Sequence, residues 1–99
     1  MRSVLQAYER AYSNLTADAV KRVYPAVNEQ GLRRSFADMK SQRLQIQNEK
    51  IMIMGATATV TCTVDTLFQP QAGRQQHSSR QTVFHLEKRN NVWYIVSLQ

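Results

Sequence analysis

The spacing of apolar residues changes once along this chain, and that change constrains the fold more than any other feature. Up to about residue 40 the apolar residues recur every three or four positions, as in amphipathic helices. From about residue 42 they recur mostly every second position, as in half-buried strands. Helices followed by strands, with no alternation between them, predict an α+β domain with the helices on one face of an antiparallel sheet.

Three helices are predicted in the first part of the chain. The first covers residues 3–14, where apolar side chains follow the i, i+4, i+7 spacing. The second is short, with Thr16 as its N-cap and Pro25 ending it. The third covers residues 29–40 and buries Met39 in its last turn.

Four strands are predicted, at residues 42–54, 57–65, 80–88 and 92–98. In the first of them the apolar positions change from even to odd numbers, which indicates a bulge near residues 48–50. Residues 69–79 contain proline, glycine and many polar residues, which is typical of a hairpin loop. Together the elements predict three N-terminal helices packed on a curved four-stranded antiparallel sheet.

The length of 99 residues predicts a single domain, residues 1–99, with one modest core. Cys62 is the only cysteine, so no intramolecular disulfide can form, and a cytoplasmic location is expected. No apolar run reaches the roughly 20 residues of a membrane span, and the first fifteen residues lack a signal-peptide pattern. The sequence therefore argues against membrane insertion and export.

The net charge of +6 raises the question of nucleic-acid binding. The basic residues occur as scattered pairs along the whole chain, which is typical of solvated surface charge. We therefore do not expect a nucleic-acid partner. Convergence of Arg33, Arg34, Lys40 and Arg43 on one face would support that alternative.

Three short motifs carry a family resemblance: Y-x-x-A-Y at residues 8–12, G-A-T-A-T-V at residues 55–60 and W-Y-I at residues 93–95. With the order of helices and strands, they resemble the nuclear transport factor 2-like superfamily. That superfamily has a cone-shaped, cystatin-like fold and includes SnoaL-type cyclases, ketosteroid isomerase and limonene epoxide hydrolase. The resemblance covers nearly the whole chain and implies the same α+β fold.

The opening V-L-x-x-Y-x-x-A-Y and the Tyr-Pro pair at residues 24–25 also resemble accessory domains of bacterial signalling proteins, including serine/threonine kinases. The first predicted helix begins directly after Met1, and the last strand ends at Gln99. We therefore expect a module taken from a larger protein.

The isomerase branch of this superfamily uses a first-helix tyrosine, a carboxylate base and a second acid that stays protonated. Tyr8 matches the tyrosine, but residues 24–29 hold no aspartate where the base would lie, and Thr82 stands at the place of the second acid. No catalytic residue is therefore assigned, and isomerase activity is not expected. A SnoaL-like cyclase, isomerase or hydrolase with a different acid and base stays open as an alternative.

Metal and cofactor chemistry is not predicted. His77 and His85 have no partner at metal-ligand spacing, and no glycine-rich phosphate loop is present. Cys62 occupies an inward strand position between valines, which favours a small buried side chain over a nucleophile.

The inward-facing aromatic residues and Cys62 allow two interpretations. Core packing is favoured, because so short a chain needs these side chains to fill its core. The alternative is a pocket for a small apolar ligand, since buried tyrosine hydroxyls need partners. The candidate pocket residues are Tyr8, Tyr12, Tyr24, Phe36, Cys62, Phe84 and Trp93.

The sheet face away from the helices is predicted to carry apolar side chains, although a face exposed to water should be polar. Such a patch predicts a homodimer, and the chain is interpreted as a non-catalytic dimerisation module of a signalling protein. Binding of a small molecule stays open as an addition to that role. The candidate interface residues are Met52, Met54, Val83, His85, Tyr94, Val96 and Leu98.

Overall fold

The computed structural model describes residues 1–99 and confirms three helices followed by a four-stranded antiparallel sheet. The helices are α1 (Arg2–Ser13), α2 (Ala17–Val23) and α3 (Glu29–Ala37). The strands are β1 (Met39–Met54), β2 (Thr57–Pro70), β3 (Gln76–Arg89) and β4 (Val92–Leu98). Each strand pairs with the next one along the chain, in the order β1-β2-β3-β4. None of the helices is both long and apolar enough to cross a membrane.

The third helix is shorter than its sequence pattern predicts. It begins after Asn28, whose side-chain oxygen accepts a hydrogen bond from the Gly31 N–H. It ends at Ala37, so the prediction that it continues to residue 40 was wrong. Met39 instead begins β1, because the backbone there pairs with Pro70 at the end of β2. Strand pairing has overridden helical spacing at this boundary.

The second and third strands are longer than predicted. Residues 69–79 were expected to form a loop, but β2 continues to Pro70 and β3 begins at Gln76. Only residues 71–75 connect them. The polar side chains in this region gave no strand signal, yet backbone hydrogen bonding requires no particular side chain.

The predicted bulge in β1 is confirmed. The register with β2 shifts between residues 47 and 50, and Asn48 adopts a positive φ of 55°. Asparagine tolerates that conformation better than most residues. Because of the bulge, apolar side chains on both sides of it lie on the same face of the sheet: Leu44, Ile46, Ile51 and Ile53.

A second bulge, in β4, corrects one predicted residue. The register with β3 shifts next to His85, which leaves Val96 without a direct partner. Leu98 therefore pairs with Phe84 and packs against the core on the helix side. The prediction that Leu98 lies on the opposite face was wrong, because the extra residue inverts the alternation.

The core lies between the helices and one face of the sheet. All buried residues are aliphatic, aromatic or cysteine, and none is of a charged type. The larger cluster joins α1 to the centre of the sheet, and a smaller one around Val20 and Phe36 joins the three helices. We call the helix-covered side of the sheet the inner face and the opposite side the outer face.

Candidate functional site

Four of the six aromatic residues predicted as a pocket lining contact one another. The Tyr8 ring lies 5.2 Å from Phe84 in an edge-to-face arrangement and 4.6 Å from Tyr12. The Tyr12 ring meets Phe36 edge to face at 5.5 Å. Such pairs are favourable beyond the area they bury. These rings fill the space between α1, α3 and the sheet themselves.

Burial also determines the protonation of this region. Loss of solvent raises the pKa of Tyr8 far above its usual value, and the neighbouring Tyr12 adds to the shift. Burial likewise raises the pKa of Tyr12. Burial, followed by the charge of Glu49, raises the pKa of Cys62 to about 11. At neutral pH these groups are protonated, which makes the thiol a poor nucleophile.

Three cavities lie at the surface, and none is lined by Tyr8, Tyr12, Tyr24, Cys62 or Phe84. Phe36 lines a cavity of about 360 Å³ between α2 and α3. Trp93 lines the largest cavity, of about 410 Å³. The seven predicted pocket residues are therefore divided between the core and two separate cavities.

The Trp93 cavity lies between the start of α1, the end of α2 and the turn before β4. Seven of its ten lining residues are hydrophobic. Arg22 is its only charged side chain, and its nearest acidic partner is Asp18 at 3.9 Å. The lining residues are Met1, Ser3, Val4, Ala7, Arg22, Val23, Asn91, Val92, Trp93 and Tyr94.

The outer face carries most of the predicted interface residues. Met52 and Met54 are 66% and 72% exposed. Strand register aligns Met52 with Thr59 and His85 across the sheet. Val83 and Tyr94 lie on the same face and are half-buried.

Val96 departs from this arrangement because it sits in the β4 bulge. It lines a small cavity of about 170 Å³ with Pro25 and Ala26 of the loop after α2. Five of the seven predicted interface residues therefore share the outer face: Met52, Met54, Val83, His85 and Tyr94.

Two polar residues of α1 accept hydrogen bonds from the backbone of β1, which the sequence does not predict. The Glu9 carboxylate accepts a hydrogen bond of 2.7 Å from the Ile46 N–H, and the Ser13 hydroxyl accepts one of 3.0 Å from the Leu44 N–H. Both residues lie outside the apolar spacing of the helix, so the sequence predicts that they face solvent. Only the position of α1 along the edge of β1 reveals their role, and the sequence contains no signal of that position.

The four basic residues whose convergence would support nucleic-acid binding lie on two elements. Arg33 and Arg34 belong to α3, and Arg33 forms a 2.6 Å ion pair with Glu29. Lys40 and Arg43 belong to the first half of β1. One of the four is thus already paired with an acid within its own helix.

Comparison with known proteins identifies the fold. No family model and no curated protein matches the sequence. A nuclear transport factor 2-like superfamily protein from Salmonella enterica is 13% identical, with a TM-score of 0.86 over 98% of this chain and 84% of its own. A proposed calcium/calmodulin dependent protein kinase II association domain from Xanthomonas campestris is 12% identical, with a TM-score of 0.80 over 99% of this chain and 81% of its own.

A proposed dehydratase of the nuclear transport factor 2-like family from Streptomyces avermitilis is 13% identical, with a TM-score of 0.82 over 98% of this chain and 88% of its own. At such identities the matches show the fold alone. This chain has the nuclear transport factor 2-like, or cystatin-like, fold.

Proposed function

We propose that this nuclear transport factor 2-like domain is a non-catalytic self-association module of a larger signalling protein. It forms a homodimer through the outer face of its sheet. The observation that carries the proposal is the exposure of Met52 and Met54, at 66% and 72%, on the face that the helices leave uncovered. Val83, His85 and Tyr94 extend this surface across β3 and β4.

The chemistry of the outer face suits contact with a second sheet. Its centre is a column of threonines on β2, whose short side chains permit close approach: Thr57, Thr59, Thr61 and Thr63. The methionines at one edge are flexible and adapt to an opposing surface. An apolar patch of several hundred Å² commonly marks an interaction site, and two-fold association is the commonest way to cover it.

The similar structures support association without specifying it. The Xanthomonas campestris protein is described as a kinase association domain, and its fold matches this chain over nearly the whole length. The Streptomyces avermitilis protein is described as a proposed dehydratase, so an enzymatic function is the alternative to association.

The positions of the partly buried carboxylates favour association over catalysis. Glu9 accepts the Ile46 N–H, and Glu49 forms a 2.6 Å ion pair with Arg2. A general base needs a carboxylate within reach of a bound substrate. Both of these carboxylates instead have partners within the chain.

Sedimentation velocity at micromolar concentration tests the homodimer. We expect the wild type to sediment as a dimer and Tyr94→Glu as a monomer, because the new charge would be buried against the partner sheet. Gln6→Glu adds the same charge on the exposed side of α1 and should leave the dimer intact. A monomeric wild type, or a Tyr94→Glu protein that stays dimeric, would contradict the proposal.

A second candidate function is binding of a small apolar acid in the Trp93 cavity. The observation that favours it is the combination of a mostly hydrophobic lining with one cationic side chain, Arg22. Ligand sites commonly pair an apolar wall with a few oriented polar groups. At about 410 Å³ the cavity lies within the usual range for small molecules.

Fluorescence of Trp93, the only tryptophan, reports directly on this cavity. The probe is 1-anilinonaphthalene-8-sulfonate, an aromatic anion of suitable class. We expect saturable quenching of Trp93 that weakens about tenfold in Arg22→Gln, as the loss of one charge-assisted contact predicts. Arg34→Gln, on α3, is the matched control. Equal binding by both variants would place the probe elsewhere.

A further inference from the structure

The free edge of β1 is covered along one half and open along the other. Inward-facing residues of this strand direct their N–H and C=O groups away from β2, as the hydrogen bonds from Leu44 to Ser13 and from Ile46 to Glu9 demonstrate. Helix α1 begins at Arg2, and Arg2 pairs with Glu49. The helix therefore starts level with the bulge and leaves residues 50–54 uncovered.

Apart from Lys50, this open half of the edge is apolar on both faces of the sheet. Met52 and Met54 project from the outer face, whereas Ile53 is on the inner face and is nevertheless 55% exposed. A second sheet stacked on the outer face would cover the methionines and leave Ile53 in water. A strand lying beside β1 would cover all three side chains.

The backbone of the open half is also available for pairing. Ile51 and Ile53 share the inner face with Leu44 and Ile46, since their partners on β2 are the buried Val60 and Ala58. Their N–H and C=O groups consequently point away from β2. An edge of this kind, with four apolar residues in a row and without proline, is a template for another strand.

We infer that two copies of this chain pair antiparallel through the open edge of β1, joining their sheets into one of eight strands. The sequence Ile51-Met52-Ile53 reads the same in both directions. In a two-fold pairing centred on Met52, Ile51 of each copy faces Ile53 of the other, and four backbone hydrogen bonds form. Isoleucine meets isoleucine on the inner face, and methionine meets methionine on the outer face.

Charge and size are consistent with this register. Lys50 of one copy lies opposite Met54 of the other, which separates the two lysines by about 13 Å along the strands. That distance exceeds the Debye length of about 8 Å at physiological salt, so their repulsion is screened.

A contact of five residues per chain buries less than the roughly 1,200 Å² of a stable interface. The edge pairing is therefore weak and requires a higher concentration than the outer-face dimer.

Amide hydrogen exchange measured by NMR at low and high protein concentration tests the inference. Between about 20 μM and 1 mM, a range that brackets a weak contact, we expect exchange of the Ile51 and Ile53 amides to slow at least fivefold. The Met52 amide points toward β2 and should not change, which makes it an internal control. Outer-face dimerisation alone would leave the exchange of Ile51 and Ile53 unchanged.

Ile53→Pro removes one edge-directed N–H without removing a bond to β2, and edge strands tolerate proline. We expect this variant to lose the edge pairing expected near 1 mM and to keep the outer-face dimer at micromolar concentration. Ile53→Val keeps the N–H and should still associate. Exchange that is independent of concentration, or association that persists in Ile53→Pro, would overturn the inference. Failure of the outer-face dimer would instead appear as a monomeric wild type at micromolar concentration.

Discussion

The two faces of the sheet belong to the same four strands but differ in what covers them. On the inner face, Ala58, Val60 and Cys62 of β2 are at most 4% exposed, because the helices and the flanking strands cover them. On the outer face, threonines alternate with these residues, and Met52 and Met54 extend into solvent. The inner face is covered by other parts of the same chain. The apolar groups of the outer face are exposed and available for contact with another molecule. Inner-face changes should therefore alter stability, and outer-face changes should alter assembly.

The largest effect is expected at Phe84, which is fully buried against Tyr8. Phe84→Ala should lower the free energy of unfolding by about 3–5 kcal/mol, because it removes buried surface and leaves a cavity. Urea denaturation at fixed protein concentration measures this loss. A cost below about 1 kcal/mol would mean that the inner face is not the core of the domain.

A smaller effect is expected at Glu9, which extends the inner-face packing onto the edge of β1. Glu9→Ala leaves the Ile46 N–H without its acceptor and should cost about 1–3 kcal/mol. Glu9→Gln retains an acceptor oxygen and should cost less. Equal costs for the two variants in urea denaturation would show that the hydrogen bond contributes nothing.

The pH dependence of stability tests the burial of the inner face. Burial raises the pKa of Cys62 to about 11, so the folded state holds the thiol proton more tightly than the unfolded state does. The free energy of unfolding should be independent of this group at low pH and fall as pH rises from about 9 to 11. The raised pKa of Tyr8 extends the fall beyond about pH 10.

Cys62→Ala serves as the control for the thiol. In this variant the fall attributed to Cys62 should disappear, and only the loss that begins near the ordinary tyrosine pKa should remain. Denaturation profiles at pH 8 to 11 measure both proteins. Stability that rises with pH, or identical profiles, would contradict the burial of the thiol.

The smallest effect on stability is expected on the outer face. Met52→Lys should change the free energy of unfolding of the monomer by no more than about 0.5 kcal/mol, because the side chain is largely exposed. The same variant should lower the sedimenting mass at micromolar concentration. Denaturation in a Tyr94→Glu background isolates the monomer. A large loss of stability from Met52→Lys in that background would show that the outer face also stabilises the monomer.

The sequence predicts the inner face well, because its chemistry is periodic. The alternation along residues 57–65 of β2 is strict, and the shift from even to odd apolar positions in β1 indicates the bulge at Asn48. The order of elements and the fold follow from these patterns. The packing of Tyr8 against Phe84 agrees with the favoured interpretation of the aromatic residues as core.

The outer face and the cavities are less predictable for identifiable reasons. In β4 the residues from Val92 to Val96 are apolar at both even and odd positions, so no pattern reveals the bulge that turns Leu98 inward. The Trp93 cavity depends on how α2 lies against β4, which local spacing does not encode. The roles of Glu9 and Ser13 depend in the same way on tertiary contact.

The distance between spin labels at the centre of the outer face tests association through that face. Thr61→Cys, in a Cys62→Ala background, places one label on the exposed surface of β2. For two sheets packed about 10 Å apart with flexible label arms, we expect an intermolecular distance of about 20–30 Å. A label at Gln30→Cys, on the exposed side of α3, should give a longer distance. No intermolecular signal from position 61, or a shorter distance from position 30, would contradict association through the outer face.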